Sequence, residues 1–260
     1  MSFPVQWQRA AACLFTAATV VLMAFPLRAQ EGLGSLSSVQ FELRYMRGMP
    51  EADAQKALDF LIASYKEIHG QIALEPKKKL EVRIYDNVGR YLAETGLKKP
   101  WRGAYYSRGV IHCQPVAALT ARNIFETALR YELARAMVEA AGQRGCPLWL
   151  REAYAVYYAG AYRGYTAPLG AKLTAFSDLN QDVQSYPDPP QRDDVHYMLG
   201  YTMNFFVQKY GEKRALNVFR QFDGMTGVES VFKRALGDDL PSIEKAWAKY
   251  ISYHTTPFKR

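Results

Sequence analysis

The spacing of apolar residues predicts a mixture of strands and helices for the first part of the chain, residues 30–120. Side chains alternate between the two faces of a strand, whereas helices repeat apolar positions every three or four residues. We therefore expect strands over residues 39–45 and 80–85, helices over residues 51–69 and 88–94, and a hairpin over residues 104–113. The hairpin is expected to turn at Arg108-Gly109.

From residue 121 onward the apolar spacing is helical. Six helices are expected, over residues 121–141, 148–163, 193–210, 212–222, 228–236 and 240–253. Between the second and the third helix, residues 165–190 are rich in Asp, Pro and Ser and are expected to be irregular. The whole pattern predicts an α+β domain over residues 30–260, with a mixed α/β lobe over residues 30–120 and a mainly helical lobe over residues 121–260.

The first 29 residues have the features of a secretory signal peptide. A positively charged segment ends at Arg9, an apolar run covers residues 10–25, and a short cleavage region ends at Ala29. The run is shorter than the roughly 20 residues of a membrane-spanning helix, and no second long apolar run follows. We therefore expect a secreted or periplasmic protein with no stable membrane span after removal of the signal. Because Leu27 and Arg28 make an imperfect cleavage site, an uncleaved N-terminal membrane anchor stays open as the alternative.

The formal net charge of +8 is too scattered to indicate a nucleic-acid partner. Arg9 and Arg28 contribute two of these charges and are lost with the predicted signal peptide. The tightest basic run that remains is residues 77–79, three lysines before a predicted strand. Such a run is more typical of a solvated loop than of a nucleic-acid patch. No nucleic-acid binding is therefore expected.

Two cysteines, Cys113 and Cys146, remain after the predicted signal peptide. In an oxidising compartment they could form a disulfide between the end of the hairpin and the loop after the helix at residues 121–141. Two buried free thiols are the alternative, because sequence alone does not place two sulfur atoms within bonding distance.

Two short segments on neighbouring predicted helices carry the candidate chemistry. Residues 131–135 are Tyr-Glu-Leu-Ala-Arg, and residues 147–155 are Pro-Leu-Trp-Leu-Arg-Glu-Ala-Tyr-Ala. They resemble the gluzincin (peptidase MA-like) metallopeptidase families, in which one helix carries His-Glu-x-x-His and the next carries Trp-Leu-x-Glu-Gly-x-Ala. The resemblance covers most of residues 30–260, because a strand, a helix, a strand and a hairpin precede the motif helix in the same order. It implies a gluzincin-like metallopeptidase fold.

The resemblance implies a zinc site whose histidines are missing here. In these families two histidines four residues apart and a glutamate from the next helix hold zinc, and the glutamate inside the motif activates the bound water. Tyr131 and Arg135 occupy the two histidine positions. Glu132 matches the general base, and Glu152 matches the third ligand. A guanidinium offers only donors and cannot coordinate a metal, so the zinc cofactor of the family is not expected in this chain.

Arg135 predicts a different arrangement of the same residues. Glu132 and Arg135 are three residues apart on one helix, and Glu152 approaches the same place if the family geometry holds. A buried carboxylate without a partner is costly. We hypothesise that Arg135 lies between the two carboxylates and takes over part of the charge-neutralising role of zinc. The alternative is that all three side chains reach solvent.

Tyrosines and histidines outside the motif are further candidates. Gluzincins place an oxyanion-stabilising tyrosine near this point of the chain, so Tyr197 or Tyr201 is the residue that the resemblance implies, with structural packing as the alternative role. His196 and His112 are the histidines that could rescue a metal site. His112 lies on an apolar strand and is expected to be part of the scaffold.

The motif and its missing histidines together predict an exported pseudopeptidase. Its expected role is the non-catalytic binding of a peptide, a protein or an envelope component in the former active-site cleft. An active hydrolase is the alternative, either with an atypical metal site at Glu152 and His196 or without metal through Glu132. A purely structural helical protein whose motif match is accidental is the third reading.

Overall fold

A mixed β-sheet forms the centre of the first part of the protein. The computed structural model describes residues 32–72, 76, 78–100, 102–140, 145–164, 175–185 and 191–255. The strands are β1 (Leu33–Ser37), β2 (Phe41–Met46), β3 (Leu80–Ile84), β4 (Ala104–Ser107) and β5 (Val110–Cys113). Their order across the sheet is β1-β2-β3-β5-β4. The three inner strands are parallel, whereas β1 and β4 run antiparallel to their neighbours at the two edges.

Alternation along the strands gives the sheet one apolar face and one polar face. The register places Leu43 beside Val82 and Val82 beside Ile111, and all three side chains are fully buried. Neighbouring residues on the other face form ion pairs, between Arg44 and Glu42 and between Arg83 and Glu81. Helices therefore cover the apolar face.

The sequence pattern does not predict the edge strand β1. Its sequence is Leu-Gly-Ser-Leu-Ser, which lacks the β-branched and aromatic residues that favour strands. Its pairing with β2 depends on Gly34, because a Cβ atom there would lie 2.2 Å from the ring of Tyr45. Contact with Tyr45, rather than local propensity, determines this strand.

Helices make up most of the remaining described residues. They are α1 (Glu51–Ile72), α2 (Val88–Thr95), α3 (Val116–Ala121), α4 (Phe125–Ala140), α5 (Leu148–Tyr158), α6 (Phe176–Ser185), α7 (Gln191–Tyr210), α8 (Glu212–Arg220), α9 (Val228–Leu236) and α10 (Leu240–Thr255). α1 and α4 pack against the sheet and against each other, and α5 packs between α4 and α7. The expected α+β class is confirmed.

The single helix expected over residues 121–141 is wrong at its beginning, because α3 ends and α4 starts anew. The chain leaves α3 through Asn123, which has a φ of 53°. The backbone N–H of Asn123 donates to Thr120 O at 3.0 Å, and that of Ile124 donates to Leu119 O at 3.0 Å. These are the two hydrogen bonds of a Schellman motif. Asn123 therefore turns the chain between the two helices.

The second expected helix, over residues 148–163, is shorter than predicted. α5 ends at Tyr158, and Gly160 adopts the left-handed conformation with a φ of 67°. A short 3-10 turn follows over Ala161–Gly164. Glycine adopts this conformation at little cost. Gly160 therefore ends the helix at a point where the apolar spacing of the sequence still continues.

The segment expected to be irregular, residues 165–190, contains α6. Phe176 at the beginning of α6 stacks on Trp149 with ring centroids 4.5 Å apart, and it lies 4.9 Å from Trp247. Polar residues surround the short apolar stripe of this helix, which hides its helical spacing. The prediction for residues 165–174 and 186–190 falls outside the described residues.

The predicted signal peptide, residues 1–29, also lies outside the described residues, so its cleavage stays a prediction. Residues Gly32–Arg260 form one compact unit. Within the part of the chain that the structure describes, no helix is both long and apolar enough to cross a membrane.

Substitution of Asn123 tests the junction between α3 and α4. Asn123→Gly is expected to leave the free energy of unfolding unchanged, whereas Asn123→Ala is expected to lower it by about 1 kcal/mol. Glycine and asparagine tolerate the left-handed conformation, and alanine does not. Urea denaturation followed by circular dichroism measures both variants. Equal losses would contradict the prediction and assign the effect to the asparagine side chain.

Candidate functional site

Helices α4 and α5 bring three charged side chains, Glu132, Arg135 and Glu152, into one ion-pair cluster. Glu132 and Arg135 are one turn apart on α4, and Glu152 lies in the second turn of α5. Arg135 Nη1 donates to Glu132 Oε2 at 2.9 Å, and Arg135 Nε donates to Glu152 Oε1 at 3.0 Å. The hypothesis that Arg135 lies between the two carboxylates is therefore confirmed.

Tyr131 supplies the second hydrogen bond to the carboxylate of Glu152. Its hydroxyl donates to Glu152 Oε2 at 2.5 Å, so each oxygen of this carboxylate accepts a hydrogen bond. The ring of Tyr131 also lies 5.8 Å from the guanidinium carbon of Arg135. Tyr131 and Arg135, four residues apart on α4, therefore both bind Glu152.

Glu132 is held by the sheet as well as by Arg135. Its Oε2 accepts the backbone N–H of Tyr106 at 2.9 Å. Hydrogen-bonded and non-hydrogen-bonded pairs alternate along an antiparallel ladder. Gln114 N donates to Gly103 O at 3.0 Å, so the pair of Tyr106 and Ile111 is a non-hydrogen-bonded one. The N–H of Tyr106 therefore points outward from the edge strand β4, where Glu132 accepts it.

The ion-pair cluster is almost completely shielded from water. The side chains of Glu132 and Glu152 are 2% and 5% exposed, and that of Arg135 is 21% exposed. Two carboxylates share one guanidinium, and the neutral donors from Tyr131 and Tyr106 stabilise the remaining negative charge. Loss of the central cation would leave two buried carboxylates without a counter-charge, which is strongly destabilising.

A small depression adjoins the ion-pair cluster. Its volume is about 40 Å³, and its lining residues are Arg135, Val138, Glu139, Leu148, Arg151 and Glu152. This volume holds a few water molecules at most.

Nearby, burial and the charge of Glu139 raise the pKa of Tyr106 to about 12, so the phenol is neutral at physiological pH.

The two candidate histidines occupy different environments. His196 is buried on α7 and packs against Tyr131, with ring centroids 5.0 Å apart. His112 lies on β5, where its Nδ1 makes a 2.7 Å hydrogen bond with the hydroxyl of Tyr85, and burial lowers its pKa. The scaffold role expected for His112 is consistent with this contact. Tyr131, which donates to Glu152, therefore connects His196 with that carboxylate.

Tyr197 and Tyr201 contact α10. The hydroxyl of Tyr197 donates to the backbone oxygen of His254 at 3.1 Å, and the rings of Tyr197 and Tyr201 stack at 4.3 Å. Burial raises the pKa of Tyr197. The contacts described for these two tyrosines favour the packing role over an oxyanion role at Glu132 and Glu152.

Cys113 and Cys146 are both free and buried. Burial raises the pKa of each thiol to about 12. Of the two alternatives that the sequence leaves open, the structure contains the pair of buried thiols.

The residues at the ligand positions do not fit zinc. Arg135 has no lone pair to donate, and Tyr131 could coordinate a metal only as a phenolate, while its hydroxyl is bonded to Glu152. A structural or catalytic zinc site needs three or four protein ligands, and Glu152 alone remains. Within the described residues, no group of three or more His, Cys, Asp or Glu side chains is placed to hold a metal ion.

Tyr106 is the member of the site that the sequence does not reveal. It contributes a backbone N–H, which every residue type except proline can supply, so no side-chain pattern marks its position. The hydrogen bond between Tyr131 and Glu152 can be anticipated from the sequence. Tyr131 and Arg135 are four residues apart, so both lie on the same face of the helix.

No protein-family model matches this chain, and no curated protein matches it. These comparisons therefore assign the chain to no family.

Removal of the central cation tests the energetic role of the ion-pair cluster. Arg135→Met is expected to lower the free energy of unfolding by about 3 kcal/mol, because it leaves two buried carboxylates unpaired. The triple variant that adds Glu132→Gln and Glu152→Gln is expected to recover part of this loss. Chemical denaturation measures all three proteins.

Arg130→Met is the matched control for this prediction. Arg130 lies on the same helix and pairs with Glu67, but Glu67 is 57% exposed. An exposed ion pair contributes at most about 1 kcal/mol, so this variant should remain close to wild type. Equal losses in Arg130→Met and Arg135→Met would contradict a special role for the cluster.

Proposed function

We propose that the chain is an exported, metal-free pseudopeptidase of the gluzincin type that binds a peptide, a protein or an envelope component without cleaving it. One observation carries the proposal. Arg135 and Tyr131, at the two positions where the families have zinc-binding histidines, both donate hydrogen bonds to Glu152. A cation and a phenol thus stabilise the carboxylate that would otherwise serve as a metal ligand.

The arrangement of the fold supports the gluzincin-like assignment. A mixed sheet precedes the motif helix α4, and the antiparallel edge strand β4 packs against α4. The next helix, α5, then presents its glutamate to the same point. This is the order of elements that the resemblance implies. An accidental match of two short segments would have no reason to bring Glu132 and Glu152 onto one guanidinium.

The contacts of Glu132 support a non-catalytic role. A general base needs a carboxylate oxygen that can accept a proton from a water molecule. Glu132 Oε2 already accepts hydrogen bonds from Arg135 and from the backbone of Tyr106. These two donors hold Oε2 in place between α4 and the edge of the sheet.

An active hydrolase is the second candidate, and one contact favours it. Tyr131 touches both Glu152 and His196, so a small movement of this side chain would bring a carboxylate and an imidazole together. Such a pair could take part in an atypical metal site. Metal-free hydrolysis through Glu132 is the other form of this candidate.

Metal content and peptidase activity separate the two candidates. The full-length chain is expressed and purified without added metal, analysed for zinc and incubated with casein and a library of quenched fluorescent peptides. We expect much less than one zinc per chain and intact substrates. Stoichiometric zinc, or cleavage that disappears in Glu132→Gln, would establish the hydrolase instead.

Restoring the histidines tests the assignment of the positions. Tyr131→His with Arg135→His is expected to bind one zinc ion, because two imidazoles four residues apart would then face Glu152. Isothermal titration with zinc measures the affinity. Adding Glu152→Gln is expected to weaken binding at least about tenfold, since it removes the third ligand. Equal zinc affinity in the double and the triple variant would show that this site does not correspond to the gluzincin zinc site.

A further inference from the structure

A groove with aromatic walls lies between α7 and α10. Its volume is about 750 Å³, within the range of ligand-binding sites, and ten residues line it: Tyr197, Tyr201, Phe205, Gln208, Lys209, Ala246, Lys249, Tyr250, Tyr253 and His254. It is open to solvent along one side. The small depression beside the ion-pair cluster shares none of these residues.

The two helices that form the groove run antiparallel. Tyr197 contacts His254, whereas Phe205, two turns later on α7, contacts Tyr250, which precedes His254 on α10. The groove extends along α7 from Tyr197 to Lys209, which corresponds to about 18 Å at the rise of an α-helix. It is therefore long enough for three helical turns of a partner.

A series of ring contacts, tilted at about 50° to one another, lines the wall of the groove. Tyr201 lies 4.7 Å from the ring of His254, Tyr250 lies 4.5 Å from the same ring, and Phe205 lies 5.5 Å from Tyr250. At the outer edge, Tyr253 is 79% exposed. Rigid aromatic side chains give a large contact area at a low cost in conformational entropy, which is why they are frequent at binding surfaces.

The charges in the groove are positive. Lys209 and Lys249 lie in the half that contains the C-terminal turns of α7, and no Asp or Glu is among the described residues that line the groove. Lys209 is partly neutralised by Asp238 at 3.1 Å. Lys249 adds an exposed positive charge one turn away from Tyr253. A ligand with an anionic end and an apolar remainder complements this distribution.

We propose that the groove between α7 and α10 binds an acidic polypeptide segment that carries aromatic or aliphatic side chains. The proposal rests on the non-catalytic binding function above and places that function on α7 and α10 instead of at the ion-pair cluster. Acidic side chains of the partner pair with Lys249 and Lys209. Its apolar side chains pack on Tyr250 and Tyr253, in the manner of a helix bound in a groove.

The chemistry of the groove favours a polypeptide over a sugar or a lipid. A glycan presents many hydroxyl groups, whereas part of the hydrogen-bonding capacity of the groove is already used within the protein, because Tyr197 donates its hydroxyl to His254 and the hydroxyl of Tyr250 accepts from Asn204 at 2.8 Å. An acyl chain needs enclosure on all sides, and the groove is open along its length. A helix with one apolar and one acidic face leaves its polar side in water.

Selection from random peptides tests the proposal. Peptides of twelve residues, which span about 18 Å as a helix, are displayed on phage and selected against the full-length chain. We expect the recovered sequences to carry more acidic than basic residues, with aromatic or aliphatic residues at helical spacing. The best peptide is then synthesised, and its Kd is measured by fluorescence anisotropy with the wild type and with variants.

Matched substitutions locate the binding site. Lys249→Glu and Tyr253→Ser are each expected to raise the Kd at least about tenfold, because they reverse the charge and remove a ring of the groove. Lys245→Glu lies on the same helix outside the groove, and Met225→Ser removes a side chain that is 92% exposed elsewhere. Both controls are expected to change the Kd by less than about twofold.

Three outcomes would overturn the proposal. The first is that no peptide is enriched, or that acidic oligosaccharides or acidic phospholipid vesicles bind at the groove in its place. The second is that the selected peptide binds Lys249→Glu as tightly as the wild type. The third is that binding is lost in Arg151→Glu, beside the ion-pair cluster, and kept in Lys249→Glu. This third result would retain the binding function while moving it away from the groove, whereas zinc or cleavage would reject the pseudopeptidase itself.

Discussion

The guanidinium of Arg135 is the contact on which the two parts of the protein depend. It holds α4 against α5 through Glu152, and through Glu132 it continues to the edge of the sheet. Two carboxylates at this depth would repel each other without a cation between them. Arginine suits the position because its planar group stays charged and can bind two carboxylates at once. α6 and α7 pack on α5, so the ion pair connects α4 with the helix that contacts both of them.

A metal ion and an arginine neutralise charge in chemically different ways. A catalytic metal keeps an exchangeable position open to substrate, whereas a guanidinium fills its directions with fixed hydrogen bonds. The cluster joins α4 and α5 through such fixed hydrogen bonds. α7 connects it with the groove, because His196 packs on Tyr131 and the next residue, Tyr197, opens the aromatic wall. Adjacent residues of one helix thus contact Tyr131 and α10.

The sequence predicted those parts of the structure that are determined by the spacing and the charge of side chains. The inner strands, most helices and the meeting of Arg135 with two carboxylates follow from spacing and charge. Backbone geometry decides the rest. Asn123 interrupts a helix through a left-handed conformation, and Tyr106 joins the cluster through an N–H. The edge strand β1 depends on the room that Gly34 leaves for Tyr45. None of these three features changes the apolar spacing of the sequence.

The bond between Glu132 and the edge of the sheet also bears on how the protein behaves in concentrated solution. An edge strand with free N–H groups can pair with the same strand of another molecule, which is a common start of aggregation. Glu132 occupies the outward N–H of Tyr106 and places a buried carboxylate where an incoming strand would have to dock. Glu132 thus removes one of the free N–H groups through which the edge of β4 could pair with another strand.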